Sequence, residues 1–154
     1  MLNKYERKQI NEHFWTAFQK QMKPFKSSNG RRINWINYPS DIPHIFVRME
    51  ADKVGARLCY DIQFKDLGVR SIVWEQLLEL KVVLEAHMQH PTNWQQNKVL
   101  SDGRIIDRIS WELEHVNYLL SEDHPRILTF LQDRLLEFDR FYQEFKDVLI
   151  LLVK

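Results

Sequence analysis

HIFVRMEADKVGARLCYDIQF, His44 to Phe64, alternates apolar and polar residues on either side of one polar break. Successive side chains of a strand point to opposite faces. Ile45, Val47, Met49 and Ala51 therefore share one face, and Ala56, Leu58, Tyr60 and Ile62 share another. Directly opposed residues of an antiparallel pair point the same way, so the odd set must face the even set across a loop of even length. The pairs are then Ala51/Ala56, Met49/Leu58, Val47/Tyr60 and Ile45/Ile62. Asp52-Lys53-Val54-Gly55 fits as a four-residue loop with Gly55 left-handed. A two-residue Lys53-Val54 loop keeps the register but would push β-branched Val54 into an unfavourable φ.

Before this hairpin, INWINY (Ile33 to Tyr38) is rich in β-formers and predicts a further strand, followed by the PSDIP connection, whose prolines cannot sit inside a ladder. KSSNGRR, Lys26 to Arg32, predicts a loop. Ile10, Phe14, Phe18 and Met22 recur every fourth residue, which predicts a helix from Asn3 to about Lys23, stopped by Pro24.

After the hairpin, Ser71 can cap a helix running to about Gln89, with Val73, Leu77, Leu80 and Leu84 on one side. NWQQNKVL, an SDG turn and RIIDRISWEL predict a second hairpin with Ile105, Ile109, Trp111 and Leu113 on one face. Asp123 and Pro125 introduce a last helix, striped by Leu128, Leu131, Leu135, Phe138, Tyr142, Phe145 and Leu149. The expected class is α+β, a single domain over residues 1–154. An antiparallel sheet of about five strands is covered by three helices, in the order α-β-β-β-α-β-β-α.

Composition limits the function classes. With 22 Lys plus Arg against 21 Asp plus Glu, no global field draws the chain to nucleic acid or an anionic membrane, so such binding would need a local patch. One cysteine, Cys59, cannot form an intramolecular disulfide, and no Cys/His set has zinc spacing, which points to a reducing compartment and a cytoplasmic location. The charged N-terminus is unlike a signal peptide, and the terminal VLILLV is too short to cross a bilayer.

FWTAFQKQMKP, RINWINY, HIFVRMEADKVGARLCYDI, WEQLLELK and SDGRIIDRIS, followed by a helix after an acidic-Pro segment, resemble in their order a bacterial family of domains of unknown function, DUF4268-like, here as a stand-alone member. The resemblance covers nearly the whole chain. It implies one α+β domain and, because relatives are attached behind nuclease-like domains, an accessory role near nucleic acid. It implies no catalytic residue and no cofactor.

Glu50, Asp52, Lys53 and Asp61 raise the possibility of a metal-dependent nuclease, whose site pairs an Asp with a D/E-x-K triplet on the next strand. The triplet is absent, and Lys53 lies in the turn. Asp61 falls opposite Phe46, four residues along the strand from Glu50, roughly 13 Å at the usual rise. Glu50 faces Arg57, with Arg48 diagonal to Arg57 and Asp61, so charge pairing across an exposed hairpin is the better explanation. No metal site is expected.

Arg31, Arg32, Arg48 and Arg57, with Trp35 and Tyr38, are the candidate nucleic-acid-binding set, since single strands want cations for phosphates and rings for bases. His87 and His90 have two-ligand spacing but no third partner. Asp41 and His44 lack a nucleophile motif, and Cys59, on the outward face beside Arg57, could have a lowered pKa but is better read as a passive thiol. Phe130, Phe141, Ile150, Leu151 and Leu152 widen the last helix's apolar stripe, which makes a protein partner or a homodimer plausible. The expectation is a non-catalytic interaction module with possible nucleic-acid contact, against a divergent nuclease as the alternative.

Overall fold

The computed structural model describes every residue from Met1 to Lys154. The chain runs α1 (Lys4–Met22), β1 (Ile45–Ala51), β2 (Gly55–Ile62), α2 (Leu67–Glu79), α3 (Lys81–His87), β3 (Asn93–Val99), β4 (Ile105–Glu114) and α4 (His124–Val153), with a 3-10 turn, Ser121–Asp123, leading into α4. One four-stranded sheet has the spatial order β1-β2-β4-β3, antiparallel throughout. The α+β class holds, with four strands and four helices rather than about five and three.

The hairpin register is the one that parity demands: Ile45 faces Ile62, Val47 faces Tyr60, Met49 faces Leu58 and Ala51 faces Ala56. The turn is built differently. Asp52 N–H donates to the Gly55 carbonyl at 2.9 Å, and the Asp52 carboxylate accepts from Val54 and Gly55 N–H. This side-chain cap reverses the chain over Lys53-Val54 without a positive φ at any turn residue. Gly55 is needed for close approach instead: a Cβ there would lie 2.7 Å from the Leu113 carbonyl oxygen of β4.

Ile33 to Tyr38 forms no strand. The Asn34 side chain accepts from the backbone N–H of Ile36 and Asn37, which closes a local turn and outcompetes the β preference of its neighbours. Trp35 and Tyr38 are buried as plugs, with the indole N–H donating to the Phe25 carbonyl. The helix expected from Ser71 to Gln89 starts earlier, at the Asp66 cap, and breaks at Leu80, whose ψ of 3° interrupts the helical run and separates α2 from α3.

The apolar face of the sheet meets the helices in a continuous core that includes Phe14 and Phe18 of α1, Val73 and Leu77 of α2, and Leu131, Leu135 and Phe138 of α4. Ile109 and Trp111 of β4 join it, whereas Ile105, on the same face, is half exposed at the strand's end. Phe130 and Phe141 of α4 are also consumed inside the molecule. Only Val148, Leu151 and Leu152 at the tip leave large apolar side chains exposed on this helix. No helix is long and apolar enough to cross a membrane.

The segment between α1 and β1 is fastened to α4 by polar groups. Buried Asp139 accepts from the Tyr38 hydroxyl at 2.6 Å, the Ser27 hydroxyl at 2.8 Å and Ser28 N–H at 2.7 Å. Nearby, the Tyr60 hydroxyl donates to that of Tyr142, which donates to the Ser40 carbonyl. Replacing Asp139 with Ala leaves three donors without their acceptor. We expect a loss of about 3 kcal/mol, read as a lower urea midpoint at unchanged slope.

Candidate functional site

Two surfaces carry unusual features: the outward face of the sheet and the groove along its β1 edge.

On the outward face, Arg57 of β2 is surrounded by carboxylates. Its Nη1 lies 3.2 Å from Glu50 and 3.2 Å from Asp52, and its Nε lies 3.3 Å from Glu112 of β4. Four residues along the ladder, past Cys59 and Ser110, Arg108 of β4 grips Asp61 with two parallel bonds, Nε to Oδ1 at 2.7 Å and Nη2 to Oδ2 at 2.9 Å, and approaches Glu50 at 3.5 Å. Arg48 completes the set at 4.0 Å from Asp61, its guanidinium resting over the Phe46 ring.

Glu50 and Asp61 therefore do meet a common cation, contrary to the spread-out arrangement expected from strand rise. The cation is a guanidinium. Glu50 and Arg108 are long enough to lean along the face toward each other, a reach that backbone spacing leaves out. Asp61 is 1% exposed, so the charge pairing expected across an exposed hairpin is in part buried. No group of three or more His, Cys, Asp or Glu side chains is arranged to hold a metal ion.

Cys59 points outward, as its parity requires, yet is fully buried. Burial raises its thiol pKa well above the ordinary value, outweighing the opposing pull of Arg108. Asp52 lies below its ordinary range: partial desolvation pushes it up, but Val54 N–H, Arg57 and Gly55 N–H outweigh that. The hydrogen bonds that Arg108 donates to Asp61 hold it more firmly protonated than an ordinary arginine.

The six residues singled out for nucleic acid are placed in three different settings. Trp35 and Tyr38 are 5% and 4% exposed. Arg57 is committed to its carboxylates, whereas Arg31, Arg32 and Arg48 are exposed, with Arg32 donating to the Lys23 carbonyl. His87 and His90 each spend a ring nitrogen on a backbone carbonyl, of Val83 and Glu112 respectively. Asp41 pairs with Lys146 at 2.7 Å, and His44 packs on Phe64.

The groove, of about 660 Å³, runs between β1 and the loop from Ile36 to His44, with Trp15 of α1 also lining it. The hydrogen bonds at Gln63 to His44 and Asp52 to Gly55 fix which residues bond across the hairpin. In an antiparallel ladder bonded and non-bonded pairs alternate, so even-numbered residues of β1 turn their N–H and C=O toward β2. Val47, Met49 and Ala51 turn theirs away, and no hydrogen bond within the chain reaches them. The opposite wall is well fastened: the Ser40 hydroxyl donates to the Ile45 carbonyl, and Tyr142 and Lys146 of α4 hold Ser40 and Asp41.

An α+β domain with a preformed groove beside an open strand edge is the class of protein that these features define. A family model described as "Domain of unknown function (DUF4268)" matches residues 10–146, and the chain belongs to that family. No curated protein and no solved structure matches it.

Two outcomes follow from the outward face. Arg108→Met strands a buried carboxylate and should cost about 3 kcal/mol; in native conditions it should also accelerate labelling of Cys59 by a thiol reagent, to which the buried thiol of the unsubstituted protein should be inert. Because the folded pKa of Asp52 is depressed, its contribution to stability is complete above about pH 4 and is lost as pH falls through the folded value. The stability difference between the protein and Asp52→Asn, measured by urea titration, should shrink on acidification below that point.

Proposed function

We propose that this chain is a non-catalytic interaction module that takes an extended segment of a partner into the groove beside β1. The observation that carries this reading is the row of unpaired backbone groups at Val47, Met49 and Ala51 on the open side of that groove. A strand edge offers donors and acceptors at the spacing of another extended chain, so main-chain bonding supplies affinity and the flanking side chains supply selectivity.

The outward face supports a structural role. Its carboxylates are engaged by Arg57 and Arg108, whereas a nuclease would need them free to share a divalent cation. Contact with nucleic acid enters the proposal through the exposed Arg31, Arg32 and Arg48. About three phosphate contacts would give single-strand binding with a log–log salt slope of about −2; affinity that does not change with salt removes this part.

The module reading is tested by amide resonances recorded while an extended peptide library is added, alongside DNA and RNA incubated with Mg²⁺ or Mn²⁺. We expect the nucleic acids to stay intact and resonance shifts to concentrate at Trp15, Ile36 and Val47 to Ala51. Metal-dependent cleavage that disappears in Asp61→Ala overturns the reading.

A further inference from the structure

The two edges of the sheet are treated differently. β3 is interrupted: its register against β4 shifts between Gln95 and Lys98, around Asn97 at φ +56°. That irregularity is held in place, since Asp107 accepts the Asn97 N–H at 2.8 Å and Arg70 donates to the Asn97 side chain at 2.8 Å. A bulge with a lysine beside it protects an edge against pairing with another chain. β1 has neither device. Its register against β2 runs unbroken from Ile45 to Ala51, with no proline, lysine or glycine.

The open part of the β1 edge also has defined ends. Ile45 is already satisfied, its N–H by the Ile42 carbonyl and its carbonyl by the Ser40 hydroxyl. At the other end the strand stops at Ala51, where Asp52 turns the chain back toward Gly55. Val47, Met49 and Ala51 remain, and the middle of that row is Met49.

We propose that the occupant of this edge is a second copy of β1, paired antiparallel about a twofold axis at Met49, so that two sheets join into one. This deepens the interaction-module reading and rests on it. The Met49-centred register sets Met49 opposite Met49 and Val47 opposite Ala51, which uses every open N–H and C=O of both edges. It also sets Arg48 of each copy directly opposite Glu50 of the other, in a non-hydrogen-bonded pair, where side chains approach closest. The nearest registers of the same parity fail on both counts. Centring on Arg48 brings two arginines together and puts Ala51 against the already satisfied Ile45. Centring on Glu50 brings two glutamates together and puts Val47 against Lys53, past the strand's end. Charge and backbone bonding thus select one pairing of this chain with itself.

Sedimentation velocity over a concentration series tests it. We expect a reversible dimer, weakened about tenfold or more by Arg48→Glu, which creates two like-charge pairs across the axis. Glu50→Arg should fail alone in the same way, while an equimolar mixture of the two variants should form a heterodimer, because each then supplies the charge that the other lacks. Glu50 also contacts Arg57 and Arg108, so a fold-independent measurement is added: Met49→Cys should cross-link into a disulfide dimer under mild oxidation, since facing residues of a bonded pair lie within disulfide reach. The unsubstituted protein, with Cys59 buried, should not.

A protein that is monomeric at all concentrations overturns the self-pairing. So does a dimer indifferent to Arg48→Glu with no cross-link through Met49→Cys, which would place the interface elsewhere, such as the exposed tip of α4. A strict monomer that still shows peptide-driven shifts in the groove would sink the self-pairing and leave the module reading standing.

Discussion

The structure depends on the pairing of β1 with β2. One register places Ile45, Val47, Leu58, Tyr60 and Ile62 against the helices. The same register places Arg48, Glu50, Arg57, Cys59 and Asp61 on the other face and leaves Val47, Met49 and Ala51 with backbone groups directed out of the sheet. A slip of one residue would exchange the two faces, burying the charged set and exposing the apolar one. The turn enforces the register from one end through the Asp52 carboxylate, and Gly55 permits it from the side, where the Leu113 carbonyl leaves no room for a Cβ.

The outward face shows how a sheet surface without a covering helix can still be closed. Small Cys59 and Ser110 lie at the middle of the strands and are buried. The long, paired side chains of Arg57, Arg108 and Glu50 extend along that face, so charged groups act as its cover. Arg108 is the central member, because a bidentate grip on a nearly inaccessible carboxylate leaves neither group free. Its net worth to stability is modest compared with the penalty for breaking it, since the stranded partner would remain buried. The two surfaces differ: the charged face is internally satisfied, whereas Val47, Met49 and Ala51 leave backbone groups unpaired at the β1 edge.

Much of this was legible in residue order. Parity alone gave the hairpin pairs, the opposition of Glu50 and Arg57, and the outward direction of Cys59. What it could not give was the neighbour of β2 on its other side. Arg108 and Glu112 sit on β4, beyond two helices and another strand, and only the order β1-β2-β4-β3 brings them over Cys59 and Arg57. The burial of Cys59 and the shared guanidinium of Glu50 and Asp61 were hidden for that reason. Ile33 to Tyr38 misled because its β-forming side chains serve as core plugs around an Asn34 turn. Gly55 misled in the opposite sense, its role being clearance rather than a left-handed φ.

The groove was not visible in the sequence, since it arises where the loop from Ile36 to His44 is drawn onto α4 and away from the strand beside it. Its character rests on one property of β1: alternate residues are bonded to β2 and the rest are open. Amide hydrogen exchange of dilute, monomeric protein reads this directly. The account requires a period-two pattern, with slow exchange at Phe46, Arg48 and Glu50 and fast exchange at Val47, Met49 and Ala51. Uniform protection along β1 in dilute solution would mean that another part of the chain already covers this edge, and the account would fail.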